Sequence, residues 1–367
     1  MARRCRRAPP APVLGCAVRG ASVRRAAPHS TLGRVRWVLL LGVLAVALSV
    51  GAWLGWREFH RFEQQALTGV DRVVEFSRGM RLKDLVTRLQ QDGISPAHYW
   101  QWRLLAERTG LAPKLQAGEY RIDPGMTPRA LLQAIADGRV VQYRVTILEG
   151  SRFRDLRVAL AQVPQLAQTI GGLADAEVLA SVGASETHPE GLFLPDTYFF
   201  PRGFSDVDLL KRAYWAQKKL LEQAWQKRAK DLPLSDPYQA LILASVIEKE
   251  TGRSGERAEI AGVFVNRLRQ GWRLQTDPTV IYGLGDAFDG NLRRVDLQTD
   301  TPYNTYTRFG LPPTPIALPG RAAIEAAVQP AQTDSMYFVA RGDGSHVFSR
   351  TLDEHNAAVR RFQLGGG

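Results

Sequence analysis

The sequence predicts an α+β protein with a single N-terminal transmembrane helix, a small α+β domain after it and a larger α+β domain to the end. Three observations carry that prediction. Trp37 to Trp56 is a run of twenty residues without a charge. Three segments between 74 and 162 each place a short apolar strand, a glycine and an amphipathic helix in that order. Beyond residue 200, helix-length stretches with an apolar stripe alternate with segments rich in Pro and Gly, the pattern of helices and short strands set side by side.

The chain has 367 residues and a net charge of +12. Residues 1–36 carry nine Arg and no acidic residue, leaving 39 basic against 36 acidic side chains elsewhere. The charge therefore belongs to a tail, and a nucleic-acid partner is not expected for the body. At 1.5 Å per residue, the run 37–56 spans roughly the 30 Å of a hydrocarbon core, with Trp at both ends as in an interfacial belt. The Arg-rich side is expected in the cytoplasm, which puts 57–367 outside, in the periplasm of a cell with an inner membrane. The alternative is a cleaved signal peptide with Ala47-Leu48-Ser49 as the processing site. The tail is long enough to leave the choice of starting methionine open.

Cys5 and Cys16 both lie in the tail, so the exported part offers no disulfide, thiolate ligand or thiol nucleophile. The six His show no zinc spacing, and neither a metal nor a cofactor is expected.

The expected organisation is an Arg-rich tail at 1–36, the membrane helix at 37–56, a polar stalk at 57–69, a small domain at 70–145 and a large domain at 146–367. In the small domain, Gly79 and Gly125 supply the tight strand-to-helix turns, and Gly150 opens the third copy. These units resemble LysM-type glycan-binding modules; a plain spacer is the other reading. In the large domain, helices are expected at 205–230, 237–250 and 256–270, a loop-rich region at 272–320, a hairpin of 336–340 with 346–349, and a last helix at 352–363.

Asp236-Pro237 is a cap followed by proline at the first helical position, and Gly252 is the expected stop. Within 237–250, Leu241, Ala244 and Ser245 form a stripe that continues onto Glu248. A carboxyl at the helix C-terminus in an apolar setting resists ionisation, which suits a general acid. From periodicity alone, a salt-bridged structural carboxylate is the better reading. Glu250, about 200° further round the helix, is expected to face solvent or pair with Lys or Arg.

Four segments carry a resemblance: "LASVIEKETG" at 243–252, "VFVNRLRQGWRLQTDPTVIYGLG" at 263–285, "YNTYTRFGLPPTPIALPG" at 303–320 and "HPEGLFLPDTYFF" at 188–200. Together they look like the endolytic murein transglycosylase, or YceG-like, family. The resemblance implies a lytic-transglycosylase-like helix and cleft. It also implies cleavage of the MurNAc-GlcNAc β-1,4 bond of nascent peptidoglycan strands to 1,6-anhydro ends, and penicillin-binding synthases as partners.

The first Glu of the E-K-E-T motif maps as the acid/base onto Glu248. Gln275 resembles the residue that faces the acid in related enzymes. Asp277 is either a sugar contact or an Asx-turn residue before Pro278. Tyr303, Asn304 and Tyr306 suit a sugar cleft, the tyrosines alternatively being core. Glu190 is a further candidate contact, Asp196 a turn or cap residue, and His346 and His355 are expected to be satisfied structural histidines. Two rival readings remain at this level: a non-catalytic glycan scaffold, and a muramidase using water with Asp277 or Glu190 as second carboxylate.

Overall fold

The computed structural model describes residues 31–364, so most of the tail at 1–36 lies outside the described residues. Contacts divide the chain into two compact units, 1–64 and 65–367. In the first, helix α1 (Thr31–Gln64) is continuous through the apolar run and the start of the polar stretch after it. The part from Val35 onward is long and apolar enough to cross a membrane.

The second unit opens with β1 (Val73–Phe76), α2 (Leu82–Gln91), α3 (Tyr99–Thr109), β2 (Gly118–Arg121) and α4 (Pro128–Ala136). β1 and β2 pair antiparallel, Val73 opposite Arg121 and Phe76 opposite Gly118. The helices close over one face through Leu85, Leu89, Trp102, Leu105, Leu131 and Ile135, all fully buried. Leu67 and Thr68 donate their backbone N–H groups to the carbonyls of Met126 and Ile94, so the chain joins this layer before residue 70. The three glycines of the repeat adopt positive φ, 83° at Gly79, 74° at Gly125 and 70° at Gly150, as a tight strand-to-helix turn requires. Helix α3 was not visible in the repeat, because it has no counterpart in the other two copies.

The rest of the unit continues with β3 (Tyr143–Thr146), α5 (Phe153–Ala161), β4 (Leu166–Ala167), α6 (Asp175–Val182), β5 (Thr197–Phe200), β6 (Phe204–Ser205) and α7 (Asp206–Gln226). It ends with α8 (Pro237–Glu250), α9 (Arg257–Arg269), α10 (Asp277–Leu284), α11 (Arg294–Gln298), α12 (Arg321–Val328), β7 (Tyr337–Ala340), β8 (His346–Ser349) and α13 (Leu352–Val359). β3 pairs antiparallel with β5, β4 parallel with β6, and β7 antiparallel with β8.

Helix α8 is the hub. Asp236 accepts the N–H of Gln239 at 2.9 Å to cap it, and every residue from Ala240 to Ile247 is buried beneath α7, α9 and α12. A helix apolar all round belongs in the middle of a core. It ends at 250 as expected, but the stop comes from Thr251, which turns into extended backbone (φ −142°), and not from Gly252. The region 272–320 is also less irregular than expected. Pro278 stands in the first turn of α10, where its missing N–H costs nothing, so Asp277-Pro278 starts a helix and not a turn.

Candidate active site

Glu248 is buried, as its stripe requires, its side chain only 5% exposed. The carboxylate accepts from Arg257 Nη2 at 3.1 Å and from the Gly320 N–H at 2.9 Å, while Glu149 Oε2 lies 3.9 Å from the same guanidinium. A Cβ on Gly320 would run into the Glu149 carboxyl, so a larger residue there would push that side chain away from Arg257. Arg257, at the start of α9, thus neutralises the charge that the apolar stripe buries. That is the salt-bridged arrangement which the periodicity left open.

Glu250 departs from its expectation. It is partly buried, takes part in no ion pair among the described residues, and accepts a hydrogen bond from Thr276 Oγ1. It stands in a cleft of about 580 Å³ bounded by α8, α9, the start of α10, the β7–β8 hairpin and α13. Burial pushes its carboxyl above the ordinary Glu value, with the nearby Asp277 charge adding to the rise; the Thr276 hydrogen bond, His346 and Arg267 oppose it.

Three of the other candidates share this cleft. Gln275 lines it on exposed backbone held at φ 52°, a left-handed conformation that costs a non-glycine residue. Its N–H is tied to the Thr305 carbonyl at 3.1 Å. Asp277 lines it too and forms no Asx turn: its carboxylate accepts from the Tyr306 hydroxyl at 2.6 Å. Tyr306 completes the wall, and burial raises its phenol above the usual value.

The remaining candidates lie elsewhere. Asn304 is fully buried and spent on the backbone, donating Nδ2 to the carbonyls of Asp296, Leu297 and Thr299 and accepting the Tyr306 N–H through Oδ1. Both amide hydrogens are spent and full burial keeps the side chain from a sugar, so it shapes the loop that presents Tyr306. Tyr303 packs against Tyr282 with ring centroids 4.9 Å apart, and its hydroxyl bonds Thr314 Oγ1 at 2.8 Å, which is the core alternative. Glu190 is buried away from the cleft lining. It accepts the Phe153 N–H at 2.9 Å and the Tyr282 hydroxyl at 3.1 Å, and burial pushes its pKa to about 7. Asp196 accepts the Thr197 N–H at 2.7 Å, as a turn residue does.

His346 is satisfied, its Nδ1 2.7 Å from Glu256 Oε2. His355 is not: Nδ1 is buried with no hydrogen-bond partner, and the ring stacks on Tyr337 at 5.2 Å. Burial pushes its pKa down, and Arg267 adds to that, favouring a neutral imidazole.

Sequence reasoning missed Glu250, Arg267, Thr276, Tyr337 and His355 as cleft residues. Arg267 had one legible signal, a lone cation in the apolar stretch 260–268. It is 7% exposed, donating Nε to the Met336 carbonyl at 2.8 Å and Nη1 to the Leu274 carbonyl. Those two bonds fasten the hairpin to the segment that carries Gln275. A larger hollow of about 840 Å³ lies between α9 and the chain near 330–334. There Asn266 is committed to the Thr333 and Ser335 carbonyls, and nothing resembles the acid and its donors in the cleft.

Fold and site together define an α+β protein whose cleft sets two carboxylates, Glu250 and Asp277, among hydroxyl, amide, guanidinium and imidazole groups. The chain belongs to the YceG-like family, whose model matches residues 74–361. A Bacillus subtilis relative named endolytic murein transglycosylase is 33% identical over 268 residues, 68% of this chain and 74% of that protein. A Streptococcus pneumoniae protein of the same name is 30% identical over 177 residues, 46% of this chain and 31% of its own length, so the match spans under a third of that relative. A crystal structure of a YceG-like protein from Listeria monocytogenes aligns with a TM-score of 0.49 at 29% identity, over 78% of this chain and 98% of that one.

Proposed function

We propose that this protein is an endolytic peptidoglycan lytic transglycosylase, a lyase that cuts the MurNAc-GlcNAc β-1,4 bond inside a glycan strand and leaves a 1,6-anhydro-MurNAc end. Membership of the YceG-like family and the name of the relatives support the activity. The observation that carries the assignment of roles is Glu250, a carboxyl with no cation paired to it in a cleft that raises its pKa.

In the protonated form Glu250 gives its proton to the glycosidic oxygen as the C1–O4 bond breaks. The substrate's acetamido group stabilises C1. The carboxylate then takes the proton of the C6 hydroxyl as the C1–O6 bond closes, so Glu250 ends as it began and no water is consumed. One carboxyl serves both steps, where a hydrolase needs two. Gln275 holds the acetamido group, Tyr306 and Asp277 act as a hydrogen-bonded pair on the sugar, and Thr276 fixes the rotamer of the acid.

A second reading, a muramidase that activates water, is favoured by Asp277, an exposed carboxylate in the same cleft. Mass analysis of fragments cut from uncrosslinked glycan by the detergent-solubilised chain separates the two, since anhydro and hydrated ends differ by one water. Anhydro ends that vanish in Glu250→Gln and persist in Glu248→Gln support the proposal; hydrated ends would replace it with the muramidase.

The wider setting belongs to the same proposal. Helix 37–56 anchors the chain in the inner membrane with 1–36 in the cytoplasm and 57–367 outside. Residues 57–69 serve as a stalk, 70–145 as a LysM-like module meeting glycan, and 146–367 as the catalytic domain. Working beside a penicillin-binding synthase, such an enzyme terminates glycan polymerisation near the membrane, because tethering confines it there.

A further inference from the structure

On α7, Trp215 stands in an unusual ring of neighbours. The four positions that surround a helical residue on its own surface are i−4, i−3, i+3 and i+4, and here they are Lys211, Arg212, Lys218 and Lys219. No acidic residue interrupts 211–219. Trp215 is 48% exposed at the centre of these cations, and the Lys218 ammonium lies 5.4 Å from its ring.

A second aromatic joins the face from another element. Phe199 on β5 is 57% exposed. Arg212 Nη1 donates to its carbonyl at 3.2 Å, which brings the strand alongside α7. Directly across the β3–β5 ladder from Phe199 is Arg144, also exposed; opposite residues of an antiparallel pair share a face. None of these five basic side chains takes part in an ion pair among the described residues.

From this geometry we infer that the Trp215 face docks on the anionic phospholipid headgroup layer of a bilayer. Five cations outside any ion pair of the described residues match a sheet of phosphates. Two exposed rings among them match the apolar layer that begins just beneath, where Trp is at home. A linear polyanion in water would satisfy the charges but give the Trp215 and Phe199 rings nothing apolar to enter. The whole patch lies in the unit 65–367, so its docking does not follow from α1 crossing a membrane, and it holds whatever reaction the cleft performs.

The test uses the full chain in nanodiscs, with Cys5 and Cys16 replaced by Ser and an environment-sensitive fluorophore attached at Gln223→Cys, one turn beyond Lys219. Near an anionic surface each cation contributes about fivefold to partitioning, so Lys211→Gln with Lys219→Gln reduces the docked-to-free ratio about 25-fold. The expected result is a blue-shifted fluorophore protected from acrylamide in phosphatidylglycerol nanodiscs. Protection is lost in phosphatidylcholine nanodiscs, in the double lysine variant and in Trp215→Ser, with circular dichroism unchanged. Equal quenching in the two lipids overturns the inference. Protection by a soluble poly(glycerol phosphate) in phosphatidylcholine nanodiscs also overturns it, reassigning the face to an anionic polymer.

Discussion

Glu248 and Glu250 are two residues apart, and exchanging each for Gln should give opposite results in two assays. In Glu248→Gln the Arg257 guanidinium keeps its burial and loses its closest countercharge. Breaking a buried pair on one side costs about 3–5 kcal/mol, and the low end applies because Glu149 remains 3.9 Å away. At about 2–4 °C per kcal/mol for a domain of this size, the melting temperature should fall by about 6–12 °C. Cleavage by the molecules that stay folded should persist.

In Glu250→Gln no ion pair is broken. The wild-type carboxyl has a folded pKa above its unfolded value, so the stability it contributes is complete below the unfolded pKa and is lost as pH rises through the folded one. The amide does not ionise and escapes that loss. At pH 8 this variant should melt no lower than the wild type while releasing no anhydro-ended fragments. Calorimetry at pH 8 and mass analysis of the products, run on the same preparations, decide the matter. Cleavage that survives Glu250→Gln, or that disappears in Glu248→Gln with an unchanged melting temperature, would refute the assignment.

Other consequences follow from the same geometry. Glu190, at about 7, gives stability that is complete below the unfolded value of about 4.5 and lost as pH rises through 7, so Glu190→Gln should flatten the fall in melting temperature between pH 5 and pH 8. Asn304→Ala strips the Asp296, Leu297 and Thr299 carbonyls of a shared donor. At about 1–3 kcal/mol for each buried group left unpaired, the variant should unfold at markedly lower denaturant concentration than Tyr303→Phe. Gln275→Gly relieves a left-handed residue worth about 1 kcal/mol or more, so it should raise the denaturation midpoint while weakening glycan binding, seen as a higher KM.

How far the sequence reached depends on which force set each feature. The boundaries of α8 were legible to the residue, because Asp236 and Pro237 act locally. The β7–β8 hairpin was legible within one residue for a similar reason, with Gly342 and Gly344 in its turn. That Glu250 lines a cleft was not, because periodicity reports burial alone. It placed Glu248 correctly among buried positions, but the guanidinium that neutralises it arrives from α9, and the side of α8 that faces the cleft is fixed by Arg267 and Thr276 on separate segments. Asn304 shows the same limit: an amide in an aromatic loop suits a sugar, yet three carbonyls five to eight residues back, on α11 and just after it, claim it first. His355 was read as satisfied because nothing local shows that a ring nitrogen will be left without a partner.

The knot of Glu149, Glu248, Arg257 and Gly320 bears on how this motif can vary. It pins the azimuth of the last turn of α8, and the acid two positions on inherits that direction. Inserting or deleting one residue between 248 and 250 would swing the second carboxyl by about 100°, away from Thr276 and out of the cleft, although every side chain of the site was still present. Lys249 between them, by contrast, reaches out to the Gly150 carbonyl at 3.2 Å. Its identity can drift as long as its place in the count is kept. On the proposed assignment what matters here is a spacing: Glu248 is the fixed pivot, and Glu250 takes its direction from it.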